Sequence, residues 1–134
     1  MGKITTTTFK ENYYLVGIQA KIDIAKFLWY SNSFLNLNFI KTKDIQVVNK
    51  RTGQTNFFPV FISERDDIIL KIVVNKSDSS FFRKDFKDFD FLLFIIPDNI
   101  ENQDVVIETI NAQIAKFKEI AGINNTIKLL EING

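Results

Sequence analysis

Carboxylates are the main side chains of this sequence that could perform acid–base or metal chemistry. Their oxygens are the ligands that Mg²⁺ and Ca²⁺ prefer, and paired carboxylates can act as general acid and base. The sequence has two clusters of acidic side chains. One should lie in a hairpin turn. The other alternates with lysines before a strand, and two of its carboxylates would share a strand face that suits Mg²⁺. We expect both to be solvated surface charge, with no catalytic, cofactor or metal residues. The clusters are Glu64, Asp66 and Asp67, and Asp85, Asp88 and Asp90.

The residue inventory removes most other chemistries. The 134 residues include no histidine and no cysteine. Serine triads, histidine acid–base catalysis, thiolate nucleophiles, disulfides and the common zinc sites are therefore excluded. Seventeen basic and sixteen acidic side chains give a net charge of +1, so no bulk field attracts nucleic acid or an acidic membrane. No Gly-rich phosphate loop or nucleophile elbow is present.

One aspartate is expected to have a structural role. Asp90 enters a strongly apolar segment, and burying an unpaired carboxylate would cost several kcal/mol. It should therefore be paired, and Lys71 on a neighbouring strand is the predicted partner.

A polar connection with embedded aromatics is the first candidate binding segment. Asn75, Lys76 and Ser77 end a predicted strand, and their amides and the lysine could receive an anion. A turn held by side-chain-to-backbone hydrogen bonds is the favoured alternative. Phe81 and Phe82 follow in a polar context, which is typical of a surface that binds a partner.

A second candidate segment combines cations with aromatic side chains. Aromatics beside basic residues on a sheet can stack nucleic-acid bases. Since side chains alternate along a strand, half of the phenylalanines must face the core, which weakens this interpretation. The residues are Lys41, Lys43, Lys50, Arg51, Phe57 and Phe58.

The elements that position these residues are predicted from periodicity. Runs of aromatic and β-branched residues predict strands. Pro59 should sit at an edge or a bulge, and Gly53 in a tight turn. Apart from Asp90, residues 89–96 are apolar on both alternating faces, which predicts a central strand covered on both sides. The predicted strands are 13–18, 57–62, 68–75, 89–96 and 126–132, with 37–40 and 45–48 as short strand candidates.

Two helices are predicted from apolar stripes of period 3.6. The first covers 22–34 and would bury Ile22, Ala25, Leu28 and Trp29 on one face. The stripe of the second is Ile107, Ile110, Ile114, Phe117 and Ala121.

We expect an α+β fold, with two helices covering one largely antiparallel sheet of five to six strands. The predicted order is β-α-β-β-β-β-α-β in a single domain spanning 1–134, with residues 1–11 frayed.

Several segments together resemble the IPExxxVDY family of small bacterial proteins. The strand 13–18 is similar to the family's opening strand, the helix around Ala25 to its first helix, and 74–77 to its Asn-Lys-Ser strand end. Residues 84–91 take the place of the name-giving segment, where only Asp90 is identical. The family has no established activity, so the resemblance implies a fold and a bacterial cytoplasmic location, not a chemistry.

The sequence thus predicts a non-catalytic interaction domain that binds a protein partner or a second copy of itself. The alternatives are an RNA- or ribosome-associated binding protein and, third, a carboxylate-dependent enzyme. No apolar leader or membrane-spanning segment is visible, which predicts a cytoplasmic protein without a membrane partner.

Overall fold

A computed structural model describes most of the chain as one antiparallel sheet with a helix against one face. The described residues are 13–20, 22–34, 36–65, 68–77, 80–97, 108, 112, 115 and 127–133. Strands β1 to β10 and helix α1 follow one another as β1 (Tyr13–Ile18), α1 (Ile24–Phe34), β2 (Ile40–Lys41), β3 (Ile45–Val48), β4 (Thr55–Phe58), β5 (Val60–Arg65), β6 (Ile68–Val74), β7 (Lys76–Ser77), β8 (Ser80–Phe81), β9 (Phe91–Pro97) and β10 (Ile127–Asn133).

The main sheet has six strands in the order β10-β1-β9-β6-β5-β2, and every pair in it is antiparallel. The predicted central strand is confirmed, because β9 lies between β1 and β6. Its side chains alternate between two hydrophobic clusters: Phe91, Leu93 and Ile95 enter one, and Leu92, Phe94 and Ile96 the other. All six are buried, as the continuous apolar run predicts.

Helix α1 covers the first face of the sheet. Asp23 caps it, since its Oδ1 accepts a hydrogen bond of 2.8 Å from the backbone N–H of Lys26. Phe27 is fully buried and its ring centroid lies 5.2 Å from that of Phe91. The predicted buried face of this helix is wrong in part, because Ala25 and Trp29 face solvent while Phe27 and Leu28 are buried.

Among the described residues, two segments pack against the second face. One is the hairpin of β3 and β4, from which Ile45 and Phe58 pack onto the second cluster. The other is the connection between β6 and β9, which contributes Phe82, Phe86 and Phe89. A 3-10 turn at Lys84–Phe86 bends this connection back over the sheet.

Pro59 divides the predicted 57–62 strand into β4 and β5. Lys41 pairs with Phe61, the Thr42 N–H donates to the Val60 carbonyl, and Ile45 pairs with Phe58. Two residues, 43 and 44, therefore lie opposite the single Pro59, which is the bulge that a residue without an N–H favours. The bulge lets the β3–β4 hairpin leave the main sheet and cross its second face.

The predicted second helix is described at three positions only. Glu108, Ala112 and Ala115 are helical and exposed. Its predicted apolar stripe lies outside the described residues, as do residues 1–11, Asp66 and Asp67. An α+β fold with a mostly antiparallel sheet is confirmed, whereas two helices packed on one sheet stay a prediction.

Candidate functional site

Asp90 links the start of β9 to two neighbouring segments. Its Oδ2 accepts a hydrogen bond of 3.1 Å from the Ala20 N–H, and its Oδ1 lies 3.2 Å from the Lys76 Nζ. The predicted pairing of Asp90 with Lys71 is wrong, because the register places Lys71 opposite Phe94, four residues further along the chain than Asp90. The carboxylate is half-buried rather than buried, so the paired charge remains partly solvated.

Asn75 organises the connection between β6 and β9. It is fully buried, and its Nδ2 donates to the carbonyls of Phe86 at 2.9 Å and Phe89 at 3.1 Å, with a longer contact to that of Arg83. Its Oδ1 accepts the Arg83 N–H at 2.8 Å. This geometry matches the favoured alternative of a turn held by side-chain-to-backbone bonds, since the amide is used inside the fold.

The other residues of the first candidate binding segment also have structural contacts. Lys76 is exposed but pairs with Asp90, and the Ser77 backbone pairs with Ser80 in the short β7–β8 ladder. Phe81 and Phe82 are half-buried, and the Phe82 ring centroid lies 5.7 Å from that of buried Phe58. The aromatic surface predicted at this connection therefore packs inward in large part.

A polar network joins this connection to the last strand. The Arg83 guanidinium donates two hydrogen bonds to Asp85, at 3.0 and 2.8 Å, and one to Glu131 on β10 at 2.9 Å. Glu131 also accepts the Tyr13 hydroxyl at 3.1 Å. Arg83 lowers the pKa of Asp85, whereas burial and the Glu131 carboxylate raise the pKa of Tyr13. The network links β10 to the connection between β6 and β9.

The predicted acidic clusters are not brought together as a site by the described residues. Asp85 pairs with Arg83 and Asp90 with Lys76, while Asp88 is exposed in the turn before β9. Asp88 and Asp90 both precede the strand, so the predicted shared strand face is wrong. Glu64 is exposed on β5, and its two predicted partners are not described. Across the described part of the chain, no three acidic side chains converge in a way that could hold a metal ion.

Three of the exposed large apolar side chains lie on the β3–β4 hairpin, whereas Trp29 on α1 and Ile40 on β2 are exposed separately. In the register, Gln46 pairs with Phe57 and Val48 with Thr55, so these four side chains share the outer face of the hairpin. Val48 is 57% and Phe57 48% exposed, whereas the neighbouring Phe58 points inward and is fully buried. We call this set, Gln46, Val48, Thr55 and Phe57, the outer hairpin face.

The tip of this hairpin is an ordered turn. The Asn49 N–H donates to the Gln54 carbonyl at 2.8 Å, and the Asn49 Oδ1 accepts the Arg51 N–H at 2.9 Å. Gly53 has a φ of +74°, the left-handed conformation that glycine adopts without strain, as predicted for this position. The turn holds the exposed cations Lys50 and Arg51 at the end of the hairpin.

The charge on residues 40–58 is concentrated and positive. Four basic side chains, Lys41, Lys43, Lys50 and Arg51, stand against one acidic side chain, Asp44. Lys41 forms an ion pair with Asp44, which leaves the other three cations exposed. The segment carries a net charge of +3 in a chain whose total is +1, so the rest of the chain is slightly acidic. The cations are visible in the sequence, but the near-neutral total charge conceals this local excess.

Comparisons with known proteins add no assignment: no protein-family model matches the chain, and no curated protein matches it either. The resemblance to the IPExxxVDY proteins therefore stays a prediction that rests on the segments quoted above. Among the described helical residues, no stretch is long and apolar enough to cross a membrane.

Proposed function

We propose that this protein is a non-catalytic binding domain of the bacterial cytoplasm that docks a protein partner on its outer hairpin face. The observation that carries the proposal is the joint exposure of Val48 and Phe57 on a hairpin whose opposite face is packed into the core. The two are diagonal neighbours across the β3–β4 ladder, within reach of each other's side chains. Together they form one apolar patch.

Val48 and Phe57 are large enough for their burial by a partner to contribute to binding. Covering a valine or phenylalanine that is otherwise exposed contributes roughly 1.5–3 kcal/mol, so two half-exposed side chains can supply a useful part of an interface. Aromatic residues surrounded by polar ones are typical centres of binding energy. The patch is also presented on a hydrogen-bonded ladder and turn, so that little entropy is lost when a partner binds.

The alternative of nucleic-acid binding is supported by Lys50 and Arg51, at the tip of the hairpin that also carries Phe57. A base-stacking surface needs successive exposed aromatic rings, however, and Phe58 is fully buried. The other exposed apolar side chain of the outer hairpin face is Val48, which cannot stack bases. An apolar contact with a protein uses both Phe57 and Val48, and we therefore favour a protein partner.

The third alternative, a carboxylate-dependent enzyme, has less support. The carboxylates of Asp85 and Asp90 are engaged by Arg83 and by Lys76 with the Ala20 amide. Acid–base catalysis would require at least one of them to be directed at a substrate.

Site-specific photo-crosslinking tests the proposal. A photoreactive phenylalanine analogue placed at position 57 should capture a discrete protein in a lysate of the source organism, whereas the same analogue at exposed Lys87 should not. The captured protein would then be purified and its affinity measured for Phe57→Ser and for Trp29→Ser, a matched change at another exposed aromatic residue.

We expect Phe57→Ser to weaken binding about tenfold or more, because a central aromatic anchor is lost, and Trp29→Ser to leave affinity unchanged. Equal weakening by both variants would contradict the proposed surface. Capture that disappears after nuclease treatment would favour the nucleic-acid alternative instead.

A further inference from the structure

The hydrogen-bond pattern of the β3–β4 ladder shows which backbone groups face outward. The Asn49 N–H donates to the Gln54 carbonyl, which makes this pair a hydrogen-bonded one. In an antiparallel ladder, hydrogen-bonded and non-hydrogen-bonded pairs alternate. Counting along the register, Gln46 and Val48 fall in non-hydrogen-bonded pairs, so their N–H and C=O groups point away from β4.

This outer edge of β3 is open in the part of the chain that the structure describes. β3 pairs there with β4 alone, and no hydrogen bond among the described residues uses the outward groups of Gln46 and Val48. Both side chains are exposed, as is Val47 between them. An edge with alternating free donors and acceptors is a template for one more strand.

The side chains that border this edge indicate what would occupy it. Val48 presents an apolar surface at the end of β3, between Lys43, which precedes the strand, and Lys50 and Arg51, which follow it. An extended segment with a small apolar centre and acidic ends would match both features. A second copy of this chain would bring a second 40–58 segment of net charge +3 against the first, which like-charge repulsion disfavours.

We propose that β3 binds an acidic, extended segment of a partner protein as a third strand of the β3–β4 sheet. This inference rests on the proposed function and specifies the chemistry of its partner. Lysines at an edge protect a strand from pairing with neutral or basic chains. The same lysines attract an acidic chain, so β3 can still pair with a partner segment that is acidic.

A synthetic peptide of sequence EDVTVTVDE provides the probe, with KKVTVTVKK as the matched control of opposite charge. Titration of each into the isotope-labelled full chain, followed by NMR, should show shifts at residues 45–48 with the acidic peptide alone. Affinity should fall as salt rises, because the contact depends on charge.

Two variants separate backbone pairing from side-chain contact. Gln46→Pro removes one outward N–H without touching a β3–β4 hydrogen bond or the Val48 side chain, and should weaken binding of the acidic peptide about tenfold, the scale of a lost hydrogen bond plus an unpaired group. Thr55→Pro removes an outward N–H on the other edge, that of β4, and should leave affinity within about twofold. Circular dichroism confirms that each variant folds.

A modified peptide keeps the test decisive if the proline variants fail to fold. N-methylation of two neighbouring central residues of the acidic peptide blocks both of its edges, so that neither can pair with β3, and should abolish the shifts. Unchanged binding of the methylated peptide, equal binding of both charge forms, or no binding of the acidic peptide would each overturn the inference. If the peptide test fails but Phe57→Ser still weakens binding of the crosslinked partner, strand addition is wrong and the docking surface stands. If the peptide test fails and Phe57→Ser has no effect either, the proposed function is also wrong.

Discussion

The Asp90 Oδ1 lies 3.2 Å from the Lys76 Nζ, while its Oδ2 accepts the backbone N–H of Ala20 at 3.1 Å. These two contacts differ in weight. Lys76 is more than half exposed, and exposed ion pairs contribute about 0–1 kcal/mol. A hydrogen bond from a backbone amide to a charged acceptor contributes about 1.5–3 kcal/mol. The carboxylate therefore matters mainly as the partner of the segment that precedes α1.

This difference predicts an order among three variants. Asp90→Ala should lower the free energy of unfolding by about 1.5–3 kcal/mol, Asp90→Asn by less because an amide oxygen can still accept from Ala20, and Lys76→Met by no more than about 1 kcal/mol. Urea denaturation followed by circular dichroism measures all three. A loss in Lys76→Met equal to that in Asp90→Ala would mean that the ion pair dominates.

Two buried asparagines provide a second prediction with an internal control. Asn75→Ala leaves buried carbonyls of the β6–β9 connection without a donor and should cost about 2–4 kcal/mol. Asn56 is also buried, but its Oδ1 has no hydrogen-bond partner among the described residues. Asn56→Ala should therefore cost clearly less. Equal losses in chemical denaturation would contradict the assigned role of Asn75.

Gly17 in β1 predicts an overpacking effect. A Cβ at this position would lie 2.7 Å from the Phe89 ring and 2.7 Å from the Leu130 Cδ1, so both side chains would have to shift. Gly17→Ala should destabilise the protein by about 1–3 kcal/mol. Adding Phe89→Leu should recover part of this loss, because the ring that clashes is removed. Strictly additive losses in the double variant would contradict this explanation.

The Arg83 network predicts a pH dependence of stability. Arg83 lowers the pKa of Asp85 in the folded protein, so the folded state binds fewer protons there than the unfolded state does. This contribution is present above the unfolded pKa of about 4 and is lost as the pH falls through the lower folded pKa. Melting temperatures of the wild type should therefore fall more steeply on acidification below about pH 5 than those of Arg83→Gln.

The matched control for this series is Lys84→Gln, which removes an exposed neighbouring cation without touching Asp85. Its melting temperatures should follow the wild-type curve in shape. If Arg83→Gln and Lys84→Gln reduce the fall in melting temperature at acidic pH equally, general surface charge rather than the Arg83–Asp85 contact governs the pH dependence.

Much of the secondary structure could be predicted from local patterns. The strands at Tyr13–Ile18 and Ile45–Val48, and the hairpin of β5 and β6, follow from runs of β-branched and aromatic residues. The central position of β9 follows from an apolar run with no polar face. These features depend on neighbours in the sequence, and the sequence contains that information directly.

The contacts that define the candidate site depend on register and could not be predicted in this way. Lys71 and Lys76 are both plausible partners of Asp90 until the pairing of β6 with β9 fixes which one is near. Phe57 and Phe58 are adjacent aromatics, so alternation requires one to face inward without deciding which. The pairing of Ile45 with Phe58 over the second cluster decides it and leaves Phe57 outside.

The helix illustrates the same limit. Phe27 and Trp29 are two positions apart and cannot both point to the sheet, yet both are large and apolar. Phe27 packs against Phe91 and is buried, so the buried face of the helix is rotated away from the predicted stripe that contains Trp29.

The central claim is that a partner binds the outer hairpin face, and NMR mapping of the purified partner on the full chain tests it most directly. If a partner binds there, the resonances that shift or broaden should belong mainly to residues 45–57, and should include the backbone amides of Gln46 and Val48. Residues of α1 around Trp29 and of the connection around Phe81 should be unaffected. Shifts concentrated on α1 or on that connection, with 45–57 unchanged, would contradict the account.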